Sequence, residues 1–468
     1  MRTPGLLLPA AAVLLAASVS AQTLDAPVRS RIDSVFARFH GGPGCALGVI
    51  QDGALAYAAG YGLASVEHGV PITPATVFDI GSVSKQFTAL AIVLLAREGK
   101  LALDDEIQRH VPEVPRYSQP VTIRHLLHHT SGLRDYIDIL SWSGVADEAV
   151  TADREALEAI ARQQAPNFEA GAEYRYSNSG YFLLSVIVKR VTGESLRDFA
   201  ARRIFEPLGM TRTQVIDRHE MLVPGKAGSY APARSGGWVL ALANWEQTGD
   251  GAVNTSVEDM VKWNRNFSTG TVGGMAAIRM LESVAPLRTG APNSYAFGQV
   301  VDSLRGVPRI SHGGSWAGFR AHFARYPSEK VSTVVLCNLA TSNPGGLAES
   351  LAGILLADKL APPVENRRPF VRLGGAIPDS ARRPVPPAGI AGRYRSGELL
   401  ADWIVSVRGD SVFARPGLGA EFEMLPGAEG FVAFGTQIGV VRDGGRITGL
   451  TLNNRGLRNL QLRKVEER

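Results

Sequence analysis

Ser82 and Lys85 stand three residues apart in "DIGSVSKQFTALAIVLLAREGK", residues 79 to 100, where polar chain gives way to an apolar helix. At that spacing two helical side chains project from one face and can touch. A lysine at a helix N-terminus opposes the macrodipole. A desolvated amine with a lowered pKa can nevertheless accept a proton there, turning the neighbouring serine hydroxyl into a nucleophile. The helix start adds backbone N–H donors for an oxyanion. No other lysine of the chain has a serine three residues before it. A second stretch, "YRYSNSGYF", sets Tyr176 and Asn178 in a loop just ahead of an amphipathic helix. A tyrosine beside a cation can relay protons, and an asparagine offers a donor and an acceptor to a substrate amide. In a third, "RISHGGSWAGFR", His312 ends a strand, and Gly313 and Gly314 after it let a substrate backbone approach closely. Each stretch alone also has an ordinary reading: coincidence, a helix-capping loop, and a strand end before a glycine turn.

"RHLLHHTSG" offers His125, His128 and His129 at i, i+3 and i+4, a spacing that can hold zinc. No Asp-His cluster or acidic helper completes such a site, so neither metal nor cofactor is expected.

The elements that must position these groups follow from patterning. "VRSRIDSVFARFHGG" is an amphipathic helix, and "CALGVIQDGALAYAAGYG" is two strands joined at the Asp52-Gly53 turn. The helix of the opening segment ends near Gly99, and helical periodicity dominates to about residue 270. Strands return over 296 to 339, and "GGLAESLAGILLADKL" closes this part as a helix. Strands, then helices, then strands imply an α+β unit whose first and last portions share one sheet around a helical insertion. Residues 361 to 388, rich in Pro and Arg, read as a linker. Over 389 to 468, short strands separated by Gly-Asp, Pro-Gly and Asp-Gly-Gly turns predict a small all-β, barrel-like domain.

The 468 residues are 45% hydrophobic and 20% charged, the composition of a soluble globular protein. A net charge of +5 with no Lys/Arg-rich tract argues against nucleic acid as a partner. Residues 1 to 21 read as a cleavable signal peptide, so the mature protein is expected in a bacterial periplasm or outside the cell, without a stable membrane span. Cys45 and Cys337 lie in strand-like sequence, and both a disulfide and two buried thiols are open readings.

In chain order, Ser82-Val83-Ser84-Lys85, Tyr176-Ser177-Asn178 and His312-Gly313-Gly314 resemble the three signature boxes of the penicillin-recognising serine hydrolases: class C β-lactamases, DD-peptidases, D-aminopeptidases and related esterases. "LLHHTSGL" (126 to 133), "IFEPLGM" (204 to 210) and "GDGAVNTSVEDMVKW" (249 to 263) support the resemblance, which covers about residues 30 to 360. It implies an antiparallel sheet flanked by helices with an all-helical insertion over 22 to 360, followed by a lipocalin-like barrel. It implies Ser82 as the acylated nucleophile, Lys85 and Tyr176 as the proton-transfer pair, and Asn178 as a contact to the substrate's amide side chain. His312, Gly313 and Gly314 would bind substrate, and the backbone N–H groups of Ser82 and Ser315 would form the oxyanion hole. The third box departs from the more usual Lys-Thr-Gly, and a largely neutral His312 turns the expectation from β-lactams towards D-aminopeptidase or DD-peptidase substrates, or esters. A class C-type β-lactamase is the alternative, and a non-catalytic penicillin- or peptide-binding protein a further one. The expected partner is thus a small peptide, ester or β-lactam-like substrate, with Arg320 on the next strand a candidate contact to its carboxylate.

Overall fold

The computed structural model describes residues 23–362, 386–427 and 430–466; the expected signal peptide and most of the expected linker lie outside them. Strands β1 (Cys45–Gln51) and β2 (Ala54–Tyr61) turn through Asp52 and Gly53, both with positive φ (49° and 75°), the geometry that Asp-Gly favours between twisted strands. Four later strands join them: β3 (Val300–Leu304), β4 (Val307–Trp316), β5 (Phe319–Tyr326) and β6 (Val331–Cys337). The sheet runs β3-β4-β5-β6-β1-β2, so the start of the chain pairs with its later part as expected. Cys45 lies directly opposite Cys337 in the β1–β6 register, and the two form a disulfide across 292 residues of sequence.

Helices α1 (Ala26–Phe36) and α5 (Pro344–Leu355) cover one face of the sheet, packing Ile32, Phe36 and Leu351 against Leu47, Val49 and Val335. On the other face the helix Val257–Thr269 packs along β1, β2 and β6, and behind it the insertion stacks α2 (Lys85–Arg97) on α4 (Asn178–Thr192) and α4 on α3 (Tyr136–Trp142). Helix α2 is buried from Lys85 to Leu95, which is why it reads as apolar on every side. It stops at Glu98, with Gly99 in the left-handed region at φ 71°. The insertion is less helical than its periodicity predicts: Phe78–Asp79, Gln214–Val215 and Val253–Thr255 form a small sheet, and Tyr230–Pro232 pairs with Trp238–Leu240. The Phe78–Asp79 and Val253–Thr255 strands are far apart in sequence, and a local pattern does not display such distant partners. Among the described residues no helix is long and apolar enough to cross a membrane.

The C-terminal strands are β7 (Gly392–Arg395), β8 (Trp403–Arg408), β9 (Ser411–Pro416), β10 (Phe422–Gly427), β11 (Gly430–Ala433), β12 (Thr436–Asp443), β13 (Arg446–Asn453) and β14 (Leu460–Lys464). They form a closed antiparallel barrel, β14 returning to β7 through the Tyr394–Lys464 pair, which leaves no open sheet edge. The barrel docks on the insertion beside α3. Trp403 Nε1 donates to the Trp142 carbonyl at 2.8 Å, Leu400 N–H donates to Ser143 Oγ at 2.9 Å, and Arg134 pairs with Glu398 in a buried contact.

Candidate active site

Residues Gly81–Ser84 form a 3₁₀ turn that feeds α2, where sequence periodicity implies a helix start. With three residues per turn, positions i and i+3 eclipse, which brings Lys85 over Ser82 more closely than an α-helix would. The turn is held from below: Asp79 Oδ1 accepts the Gly81 N–H at 2.7 Å, and Ser84 Oγ accepts the Val253 N–H at 3.1 Å. Gly81 is at φ 49°, and a Cβ there would come within 2.5 Å of Ser315 N, so only glycine fits.

Lys85 Nζ donates to Ser82 Oγ at 3.0 Å, Asn178 Oδ1 at 2.9 Å and the Asp250 carbonyl at 2.6 Å. The side chain is fully buried (0% exposed). Burial pulls its pKa down to about 8, against the opposing charges of Asp250 and Asp135. Ser82 remains partly open to solvent. The Tyr176 ring lies 4.8 Å from Lys85 Nζ. Burial drives the Tyr176 phenol well above its ordinary value, with the Ser82 hydroxyl pulling the other way, so it is a neutral phenol at physiological pH. Its buried hydroxyl makes no hydrogen bond of regular geometry among the described residues, and the Ser82 hydroxyl is the polar group that bears on it.

Asn178 opens α4. Its backbone N–H and its Nδ2 both reach Asp135 Oδ2, at 2.7 and 3.0 Å, which fixes the amide with Oδ1 towards Lys85. One Nδ2 hydrogen is left for a substrate carbonyl. Asp250, whose carboxyl burial pushes up to about 7, accepts the Tyr136 hydroxyl at 3.0 Å.

Strand β4 pairs with β3 only as far as Ser311, so His312–Trp316 run on beyond it towards the Ser82 turn. A Cβ on Gly314 would fall 1.9 Å from the Ile80 carbonyl and 3.1 Å from Ser82 N, showing how closely the strand backs the turn. This places the Ser315 and Ser82 backbones side by side. The third box departs from expectation in its side chains. His312 is buried, its Nδ1–H donates to the Gly313 carbonyl at 2.6 Å, and its Nε2 accepts the Tyr295 hydroxyl at 2.8 Å. Burial and the Lys85 charge lower its pKa to about 3, so the ring is neutral and has no nitrogen left for substrate. Gly313 has no atom closer than 3.8 Å to an added Cβ, so close packing does not explain its lack of a side chain. Arg320 pairs in register with Cys337, on the α1/α5 side of the sheet, whereas its neighbour Ala321 lies with Val83 on the Ser82 side. The Arg320 guanidinium donates to the Ala317 and Phe319 carbonyls, so it faces away from the site expected of it.

The three histidines separate. His125 Nδ1 accepts the Thr122 N–H, His128 Nδ1 donates to the Tyr295 carbonyl, and His129 Nδ1 accepts the Ser177 N–H. Among the described residues the only cluster with metal-ligand spacing is His219, Glu220 and Glu246, which lies elsewhere. The ring of His129 instead packs tilted at 4.1 Å from the Tyr176 ring and edge-on at 4.4 Å from that of Tyr295, making an aromatic wall behind the phenol.

Sequence reading missed the roles of Asp135, Asp250 and Tyr295, and it missed Arg455 altogether. Arg455 lies on the barrel turn between β13 and β14, with its guanidinium carbon 5.6 Å from the Tyr176 ring centroid. Asp250 falls within the supporting stretch 249 to 263 and Asp135 two residues beyond the stretch 126 to 133, but nothing in their spacing points to Lys85.

The Beta-lactamase family model matches residues 32–357. A D-aminopeptidase of Gluconobacter oxydans (strain 621H) is 31% identical over 333 residues, 71% of this chain and 62% of that protein. Penicillin-binding protein 4* of Bacillus subtilis (strain 168) is 31% identical over 307 residues, 62% of this chain and 66% of that protein. The chain thus spans less than two thirds of the length of both. A D-aminopeptidase of Cereibacter sphaeroides (strain KD131 / KCTC 12085) is 32% identical over 391 residues, covering 81% of this chain and 69% of its own. Among solved structures, the octameric penicillin-binding protein homologue from Pyrococcus abyssi superposes with a TM-score of 0.63 at 25% identity, over 94% of this chain and 99% of its own. The D-amino acid amidase from Ochrobactrum anthropi SV3, complexed with L-phenylalanine amide, shares the fold at a TM-score of 0.59 and 23% identity, over 71% of this chain and 99% of its own.

Proposed function

The chain belongs to the Beta-lactamase family, and on that premise we propose that it is an exported serine hydrolase of the D-aminopeptidase and DD-peptidase type, cleaving amide bonds of D-residue peptides and the corresponding esters through an acyl-enzyme. The observation that carries this reading is the 3.0 Å contact between the fully buried Lys85 amine and Ser82 Oγ. An amine with a pKa near 8 is partly neutral at physiological pH, which is what a base for a serine hydroxyl requires.

Neutral Lys85 takes the Ser82 proton as Oγ attacks the substrate carbonyl. The carbonyl oxygen gains charge facing the Ser82 and Ser315 N–H groups, donors set by the turn and strand before reaction begins. Tyr176, neutral and within the influence of the Ser82 hydroxyl, gives its proton to the leaving nitrogen and recovers one from the Lys85 ammonium. The C–N bond breaks and leaves acyl-Ser82 with both Lys85 and Tyr176 neutral. Water then attacks the ester, loses its proton to Lys85, and Ser82 Oγ takes that proton back as the acid departs. The free Nδ2 hydrogen of Asn178 holds the acyl side of the substrate. His312 acts as a positioning residue through Tyr295 and the aromatic wall, while the Ser315 backbone is the part of this strand that meets substrate. Residues 22–360 form the hydrolytic unit in this reading, and 389–468 the barrel unit.

A panel of D-aminoacyl amides, their L-counterparts, nitrophenyl esters and a chromogenic cephalosporin tests the proposal. D-amides are expected to be turned over fastest among the amides, with all turnover lost in Ser82→Ala. A cephalosporin preferred by a wide margin would install the β-lactamase reading instead, and equal use of L- and D-amides would remove the stereochemical one.

A further inference from the structure

The barrel turn Asn454–Asn459 is fastened on both sides. The Gly456 carbonyl accepts the Asp135 N–H at 3.2 Å and Asn167 Nδ2 at 2.9 Å, while Asn167 Oδ1 accepts the Arg458 N–H at 2.7 Å. The Arg458 guanidinium pairs with Glu173 at 2.9 Å. Arg175 Nη1 donates to the carbonyls of Asn454 and Arg455, at 3.1 Å each. The turn has no slack, because a Cβ on Gly456 would lie 2.0 Å from Asp138 Oδ2. Within this clamp the Arg455 side chain is exposed and makes no ion pair among the described residues.

We infer that Arg455 is a specificity-determining residue that receives the free carboxylate of the substrate's leaving residue, so that the barrel supplies part of the substrate site. This rests on the catalytic reading of Ser82, Lys85 and Tyr176. Tyr176 is the group that protonates the leaving nitrogen there, so a guanidinium over its ring borders the leaving side. An α-carboxylate on the residue directly after the scissile bond lies two bonds from that nitrogen. Guanidinium matches carboxylate as a planar two-pronged donor. The other cations nearby are spent: Lys85 on three acceptors, Arg175 on backbone carbonyls, Arg458 on Glu173, and Arg320 on the far face of the sheet. The preferred substrate is therefore a peptide ending in a single residue with a free carboxylate after the cleaved bond.

The test compares N-acetyl-D-alanyl-D-alanine with its C-terminal carboxamide. Wild-type protein is expected to favour the carboxylate by about 10- to 100-fold in kcat/KM, the range of a charge-assisted contact. Arg455→Ala should bring that ratio to about one, and Arg455→Lys should restore part of it. Calorimetric binding of the same pair to Ser82→Ala, with and without Arg455→Ala, reads the preference without turnover. Failure of the catalytic reading, shown by equal turnover with and without Ser82, thus stays distinguishable from failure of this one. No difference between carboxylate and carboxamide in the wild type, or a ratio unmoved by Arg455→Ala, would overturn the inference.

Discussion

The turn Gly81–Ser84 and the turn Asn454–Asn459 meet at one tyrosine: Lys85 Nζ lies 4.8 Å from the Tyr176 ring centroid, and the Arg455 guanidinium 5.6 Å from it. The first cation is wholly buried, bonded to three acceptors and lowered to about pKa 8. The second is exposed and, among the described residues, has no ion-pair partner. Desolvation weakens an ammonium until it can exchange a proton; an exposed guanidinium presents a planar fork of donors to a ligand. The same sign of charge on two units of the fold thus suits the two tasks proposed for it, bond-making at the start of α2 and selection from the barrel.

Changes at the buried turn should reach the chemical step. Lys85→Ala is expected to lower kcat by about 10³-fold, within the range of a lost general base; stopped-flow release of a nitroanilide reads it, and a change in KM alone would break the contrast between the two turns. Tyr176→Phe should cost about 10²-fold in kcat with KM little moved, because the hydroxyl is needed only as the bond breaks. A like loss confined to KM would make Tyr176 a binding residue. The pH profile sharpens the comparison further. Lys85 must be neutral to accept a proton, so kcat/KM should rise with pH through about 8. Asp250 holds that pKa up, so Asp250→Asn should move the midpoint to lower pH. An upward shift would contradict the electrostatic assignment.

Changes at the barrel turn should leave that midpoint where it is. Gly456→Ala drives a methyl group against Asp138 and is expected to cost about 1–3 kcal/mol of stability, read by denaturant unfolding, and to reduce discrimination between carboxylate and carboxamide peptides. A shifted midpoint would mean that the barrel also tunes Lys85. The smallest effect on activity is expected from replacing Cys45 and Cys337 together by Ser. The bond lies on the α1/α5 side of the sheet, so kcat should hold while stability falls by about 2–4 kcal/mol.

Much of the proposed site was legible in the sequence because the groups assigned to the reaction sit in short boxes. Ser82 and Lys85 share one turn, and Tyr176 and Asn178 are separated by one residue, so local spacing carries the chemistry. The β1–β2 hairpin at Asp52-Gly53 was readable for the same reason, since turn chemistry is local, whereas the shared sheet followed from the order of strand and helix blocks along the chain. Asp135 and Asp250 escaped because their bearing on Lys85 exists only once chain segments distant in sequence fold together. Arg455 left no signal at all: "NNRGLRN" between two strands reads as a solvated hairpin turn, and only docking of the barrel brings it over Tyr176. His312 shows the reverse case. Its box was readable, but its ring is turned inward to Tyr295, a contact that the box itself does not encode.

Intact-mass spectrometry of protein quenched during turnover of a slowly hydrolysed D-aminoacyl ester tests the Ser82 assignment most directly. The expected result is a mass increase of one acyl group in the wild type, mapped by peptide digestion to the segment containing Ser82 and absent from Ser82→Ala. An acyl group on any other residue, or undiminished turnover by Ser82→Ala, would contradict it.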